Sequence, residues 1–144
     1  MSLTIFEKIV LCIAGLTAMA VGGFILAAPH TFYGSYDITL GDNPSLLSEL
    51  RAPAAGLTAF GGLMLVGIWR KEMSQIAIVA ALTVFLAFPA GRLIGLAVDG
   101  MPSSGIIGAL AVEVAIAALG LVAFRGPVLR TSSLLSRVHA KSAS

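Results

Sequence analysis

The chain has 144 residues, of which 58% are hydrophobic and 11% charged, and its formal net charge is +2. With a mean hydropathy of +0.99, it is far more apolar than a soluble domain, in which about a quarter of the residues are charged. Its single cysteine, Cys12, excludes an intrachain disulfide, and no CxxC, HExxH, P-loop or GxGxxG motif occurs. We therefore expect an all-α membrane protein that binds no metal, no cofactor and no nucleic acid.

The first apolar segment runs from about Phe6 to Ala28 and ends at Pro29. Its length meets the requirement of about 20 apolar residues for a bilayer span and exceeds the apolar core of a typical signal peptide. The residues just before Pro29 also make a poor cleavage site, so we expect a retained helix. Small residues recur in it every four positions, which predicts close contact with another helix: Ala14, Ala18 and Gly22.

A long loop follows, and the second span runs from about Leu46 or Arg51 to Trp69. Asn43 and Pro44 form a good N-cap and first-turn pair, so we expect this helix to begin at the membrane surface. Three aromatic residues lie in the loop: Phe32, Tyr33 and Tyr36. They suit the aromatic belt of a membrane interface; the alternative is that they line the entrance to a ligand site.

The third span runs from Gln75 to Val98 and the fourth from Ile106 to Phe124. Pro89 lacks an N–H and predicts a kink or a polar neighbour within the third span. A second stripe of small residues in this span predicts another helix contact: Ala87, Gly91 and Gly95. The four spans form one bundle over residues 1–126. Residues 127–144 are a basic tail, which we interpret as either a short interfacial helix or a frayed end.

The distribution of lysine and arginine predicts the orientation of the bundle. Basic residues flank one side of the spans: Lys8, Arg70, Lys71, Arg125, Arg130, Arg137 and Lys141. The two connections on the other side, 29–50 and 99–104, carry only acidic charges: Asp37, Asp42, Glu49 and Asp99. The positive-inside rule then places both termini in the cytoplasm, as an even number of spans also requires.

Three charged residues fall inside the predicted spans, namely Arg51, Arg92 and Glu113. A charge at bilayer depth costs at least about 2.5–3.5 kcal/mol on insertion scales, so each needs a partner or a water-filled cavity. The helical rise places all three roughly 10–15 Å below the outer surface, within reach of the nearby acidic residues Glu49 and Asp99. We therefore predict a polar cluster of Glu49, Arg51, Arg92, Asp99 and Glu113.

This cluster has three interpretations. The two arginines and three carboxylates nearly neutralise one another, which is typical of buried ion pairs that fix helix register. A second interpretation is a polar pocket that opens outward, with an arginine for an anionic or carbonyl-bearing ligand. A third, proton relay through Glu113, would need further polar groups below it, and the inner half of the fourth span offers almost none.

A series of short motifs follows one order along the chain: Pro29 with Phe32-Tyr33-Gly34, Glu49-Leu50-Arg51-Ala52 with Gly56, Gly91-Arg92, Asp99-Gly100 with Pro102, and Glu113. Their order and spacing resemble a bacterial family of small four-helix membrane proteins catalogued only as a domain of unknown function. The resemblance covers about Phe6 to Phe124. It implies a four-helix bundle in the bacterial inner membrane and supplies no activity.

Three functions are compatible with these features. The leading hypothesis is a non-enzymatic bundle that acts as an accessory or stabilising subunit of a larger inner-membrane complex, with the lipid bilayer and other membrane subunits as partners. The second is a binding protein or carrier for a small lipophilic or anionic ligand. The third, a quinone-linked membrane enzyme, is opposed by the absence of histidine from every span, since His30 and His139 both lie outside them.

Overall fold

The structure is a computed structural model and describes residues 2–126. Five α-helices and a short 3₁₀ turn make up this part of the chain: α1 (Ile5–Ala27), α2 (Pro29–Gly34), α3 (Pro44–Trp69), the 3₁₀ turn (Lys71–Met73), α4 (Ser74–Asp99) and α5 (Ser104–Ala123). The described residues contain no strand. Four of the helices are long and apolar enough to cross a membrane, namely α1, α3, α4 and α5. The predicted all-α fold with four helices able to span a membrane is confirmed for the described residues, whereas the predicted basic tail lies outside them.

Two of the long helices begin with a side-chain cap, and the sequence predicts the cap of α3. Thr4 and Glu7 form a capping box at the start of α1, in which each side chain accepts a hydrogen bond from the backbone N–H of the other residue. The Asn43 side chain accepts hydrogen bonds from the backbone N–H groups of Ser45 and Leu46, at 2.9 and 3.4 Å. Helix α3 therefore begins at Pro44, as the sequence predicts.

The helices form a ring in the order α1, α3, α4, α5, and α1 also touches α4 across the ring. Consecutive long helices run in opposite directions. One end of the bundle, which we name the α2 end, carries α2, the connection between α4 and α5, and the start of α3. The other end carries the tight turn at Arg70, where the buried Ser74 hydroxyl donates a hydrogen bond to the Gly67 carbonyl at 2.9 Å.

The closest packing joins α1 to α3 through glycines. A Cβ at Gly22 would meet the Thr58 side chain and would lie 2.6 Å from the Ala54 carbonyl oxygen. A Cβ at Gly61 would likewise lie 2.7 Å from the carbonyl oxygen of Gly15. Because lipid supplies no hydrophobic drive for association, such backbone proximity is a main source of contact energy between membrane helices. The small-residue stripe predicted in α1 does make a helix contact.

Within residues 2–126, the second predicted stripe, in α4, does not pack against another helix. Ala87 and Gly91 are exposed, and a Cβ at Gly91 would meet nothing within 4 Å. The buried face of α4 is instead set by Ala77, Ala81, Val84 and Phe85, at spacings of three and four residues. Ala87 lies off that face, so its four-residue series turns away from the bundle.

Candidate functional site

A cavity of about 190 Å³ lies inside the α2 end of the bundle. Residues from all five helices line it, and most of them are apolar: aliphatic side chains such as Val21, Leu57 and Val84 form much of the wall. Arg92 of α4 and Glu113 of α5 are the charged residues among those that line it. The cavity thus combines a mainly apolar interior with one charged pair, which is the usual composition of a small-molecule site.

Arg92 and Glu113 form an ion pair between α4 and α5. The Arg92 Nε donates to both carboxylate oxygens of Glu113, at 3.1 Å to Oε1 and 2.9 Å to Oε2. The Glu113 side chain is 15% exposed and the Arg92 side chain 32% exposed. The mutual pairing explains how both charges are tolerated within apolar helices. Within residues 2–126, no hydrogen bond of Arg92 uses its terminal Nη groups, which remain as donors.

Aromatic side chains from α2 and the residues after it lie against the cavity. Phe32, Tyr33 and Tyr36 all line it, and Phe32 makes edge-to-face contacts with both tyrosines at centroid distances of 5.3 Å. Phe32 also meets Phe24 of α1 at 5.5 Å. Edge-to-face pairs of this kind contribute about 0.5–1.5 kcal/mol each beyond their buried area. The two pairs within the segment stabilise its conformation, and the Phe24–Phe32 pair attaches it to α1, where it forms part of the cavity wall.

Two local features place this aromatic segment. Pro29 at the first position of α2 separates it from α1, because proline cannot continue the preceding helix but suits the first turn of the next one. Gly105, near the start of α5, leaves room for the Tyr36 ring, since a Cβ there would lie 2.9 Å from Tyr36 Cδ1. The segment is therefore seated against α5 as well as α1.

The Tyr33 hydroxyl interacts electrostatically with the ion pair. Burial raises the pKa of Tyr33 above its usual value of 10.0, and the positive charge of Arg92 lowers it by a smaller amount. The phenol therefore stays protonated at neutral pH and is available as a hydrogen-bond donor. Tyr33 and Arg92 are both hydrogen-bond donors in the cavity wall, and the charge of Arg92 acts on the Tyr33 hydroxyl.

The structure joins only two of the five residues in the predicted polar cluster. Arg92 and Glu113 pair, but Glu49 and Asp99 are exposed, and within residues 2–126 neither forms an ion pair. Arg51 is also exposed, and its Nε donates to the carbonyl oxygen of Leu26 at 3.3 Å. That carbonyl lies in the last turn of α1, where helix carbonyls lack intrahelical partners.

Arg51 does not join the Arg92–Glu113 pair because of the way the helices are arranged. Arg51 belongs to α3, which packs mainly against α1 and α4, whereas Glu113 belongs to α5. Equal depth therefore does not bring Arg51 and Glu113 together.

The cavity-lining aromatics were visible in the sequence, but only as one of two interpretations of Phe32, Tyr33 and Tyr36. Phe85 and Phe88 also line the cavity, and their only sequence signal was helical spacing to Arg92.

Other polar contacts lie apart from the cavity. His30 Nε2 lies 3.3 Å from Asp42 Oδ1, with the aspartate side chain almost fully exposed. In the described part of the chain, no group of three or more histidine, cysteine, aspartate or glutamate residues is placed to hold a metal ion. The cavity itself offers apolar contact together with Arg92, Glu113 and the hydroxyls of Thr17, Tyr33 and Tyr36.

Comparison with known proteins agrees with this architecture. A family model described as a domain of unknown function (DUF4345) matches residues 6–124, which include all four long helices apart from Ile5. No match is found among curated proteins or solved structures. The matched region covers most of the chain, including every residue that lines the cavity. The chain therefore belongs to the family of the domain of unknown function DUF4345.

Proposed function

We propose that this protein is a non-enzymatic membrane protein that binds a small, largely apolar molecule in the cavity at its α2 end. The observation that carries the proposal is the cavity itself, with aromatic and aliphatic walls and the Arg92–Glu113 pair on one side. A bundle that served only as a structural element would gain contact energy by filling this space. The space is instead left open beside Arg92, whose Nη groups make no hydrogen bond within residues 2–126.

The size of the cavity limits the ligand. An engineered apolar cavity of about 150 Å³ accommodates benzene, and the cavity here measures about 190 Å³. A single ring with a short substituent, or a short branched chain, is the class of molecule that fits within it. A larger molecule would have to extend beyond the described walls.

The sequence also raised the hypotheses of an accessory subunit and of a quinone-linked enzyme. An accessory role makes no use of the cavity, and we rank it below ligand binding for that reason. The enzyme hypothesis lacks a nucleophile–base pair among the cavity-lining residues. We retain the sequence-based placement in the bacterial inner membrane with both termini cytoplasmic, which puts the α2 end and its cavity on the outer side.

Cavity-filling substitutions test the proposal. Val21→Phe places a ring in the cavity, whereas Val79→Phe makes the same change at a position of α4 that is 62% exposed and does not line it. We expect protein purified in mild detergent to carry a small apolar compound, or to bind an added one, in the wild type and Val79→Phe but not in Val21→Phe. Extraction with organic solvent followed by mass spectrometry provides the measurement. Identical extracts from all three proteins, with no binding of added single-ring compounds, would refute the proposal.

Orientation has its own test. Single cysteines placed at Ser35 and at Lys71, in a Cys12→Ser background, are predicted to react with a membrane-impermeant thiol reagent from opposite sides, Ser35 from outside. Labelling of Lys71→Cys in intact cells would show that the predicted topology is wrong.

A further inference from the structure

The ion pair in the cavity wall affects whether the cavity favours a charged or a neutral ligand. Arg92 contributes a positive charge and Glu113 a negative one, and they are the charged groups among the lining residues. The wall is consequently neutral as a whole while the pair is intact. It attracts a hydrogen-bond acceptor through the Nη groups of Arg92 and repels an anion through the carboxylate of Glu113.

Binding of an anionic ligand is disfavoured in both of the arrangements that it could adopt in this cavity. To pair fully with Arg92 it would have to separate Arg92 from Glu113, and the carboxylate of Glu113, only 15% exposed, would then be left without its partner. Removing one member of a buried pair is strongly unfavourable because the remaining charge is neither hydrated nor compensated. An anion that accepted only from the Nη groups and left the pair in place would be attracted by Arg92, but it would also lie beside the like charge of Glu113 in a medium of low dielectric constant, which offsets much of that attraction.

A neutral acceptor avoids both costs. The pair uses only the Nε of Arg92, so the Nη groups can donate to an oxygen in the cavity without disturbing Glu113. The Tyr33 hydroxyl lines the same cavity, is protonated at neutral pH like any ordinary phenol, and interacts with the charge of Arg92, so it adds a second donor to the wall. The remaining wall is apolar and suits a hydrocarbon body.

From this geometry we infer that the ligand is a small neutral molecule whose carbonyl-type oxygen accepts hydrogen bonds from Arg92 while the Arg92–Glu113 pair remains intact. This inference rests on the proposed function and specifies its ligand class. It makes Glu113 a specificity-determining residue, because its charge selects a neutral ligand over an anionic one. It also makes Arg92 the residue that orients the ligand within an otherwise apolar space.

Three probes of equal size and similar shape separate the possibilities: acetophenone, which has a neutral carbonyl; α-methylstyrene, in which a methylene replaces that oxygen; and benzoate, which is an anion at neutral pH. Binding to the full chain in detergent micelles is measured by equilibrium dialysis. The Val21→Phe variant gives the contribution of partition into the micelle, and Val79→Phe serves as the matched control. Thermal unfolding of each variant checks that it is folded.

We expect acetophenone to bind wild-type protein about tenfold more tightly than α-methylstyrene, the factor for one hydrogen bond to a charged donor. Benzoate should bind at least about tenfold more weakly than acetophenone for the electrostatic reasons above. In Glu113→Gln the preference for acetophenone over benzoate should disappear or reverse. The glutamine keeps an acceptor for Arg92 but removes the negative charge, so benzoate should gain at least about tenfold in affinity and stabilise the variant against heating.

The outcomes separate the ligand class from the proposed function. If all three probes bind equally well, or benzoate binds best to the wild type, and Val21→Phe abolishes binding, the cavity is a binding site but the inferred ligand class is wrong. If no probe binds above the level of Val21→Phe, both the inference and the proposed function fail. The wild-type ranking is decisive even if Glu113→Gln does not fold.

Discussion

Replacing Arg92 by alanine removes the partner of a carboxylate that has no other hydrogen-bond donor within residues 2–126. Glu113 would remain in the wall of the cavity, 15% exposed and facing mainly apolar side chains. The free energy of unfolding should therefore fall by more than the loss of the arginine's own contacts. The cost of leaving the Glu113 charge unpaired is added to the loss of those contacts.

The magnitude follows from the exposure of the pair. Breaking a fully buried ion pair costs about 3–5 kcal/mol. The Arg92 side chain is 32% exposed, so part of its interaction with Glu113 is already screened by solvent, and we expect a loss of about 2 kcal/mol. For a chain of this length, that corresponds to a decrease of about 6 °C in the melting temperature.

Thermal unfolding in detergent, followed by helical circular dichroism, measures this change against Arg70→Ala. Arg70 is exposed, and its hydrogen bonds go through its backbone, which alanine retains. Its replacement should lower the melting temperature by no more than about 2 °C. The double variant Arg92→Ala with Glu113→Ala should be less destabilised than the sum of the two single variants, by about 1–2 kcal/mol. Equal effects of Arg92→Ala and Arg70→Ala, or strict additivity in the double variant, would show that the pair does not stabilise the bundle.

Three further predictions concern other parts of the structure. Gly22→Ala should destabilise the protein by about 1–3 kcal/mol because its Cβ would meet Thr58 and the backbone of α3, whereas Gly23→Ala, with open space around it, should be neutral or stabilising by up to about 1 kcal/mol in the same thermal assay. Spectrophotometric titration, with the signal assigned by Tyr33→Phe, should give Tyr33 a pKa above 10.0. This pKa should rise further in Arg92→Gln, because the variant removes the positive charge that lowers it. A fall in the pKa would contradict the assigned cause. Because the unfolded state loses this proton first, stability should fall as the pH rises from about 10 through the folded pKa. Asn43→Ala should cost about 1 kcal/mol through loss of the N-cap of α3, and Asn43→Asp should preserve most of it.

The helices could be predicted from the sequence because their determinants are local. Apolar length defines a span, Asn43 with Pro44 defines the start of α3, and Trp69 before two basic residues defines its end. Each of these signals acts within a few residues along the chain. The observed bounds consequently agree with the predicted ones within a few residues.

The polar cluster was only partly predictable because it depends on which helices are neighbours. Depth along each helix placed Arg51, Arg92 and Glu113 at similar levels, but depth does not specify azimuth or the order of helices around the ring. In the structure α4 and α5 are neighbours, so Arg92 meets Glu113, while α3 turns Arg51 toward the end of α1.

Hydropathy, caps and the cost of burying charge are properties of short segments, so the sequence alone predicts a bundle of four apolar helices whose charges require partners. The pairing of Arg92 with Glu113 depends on which helices are neighbours in the fold. So does the position of Tyr33 and its aromatic neighbours against a cavity of about 190 Å³. A cavity is defined by space that several helices leave between them, and no single segment of the sequence records it.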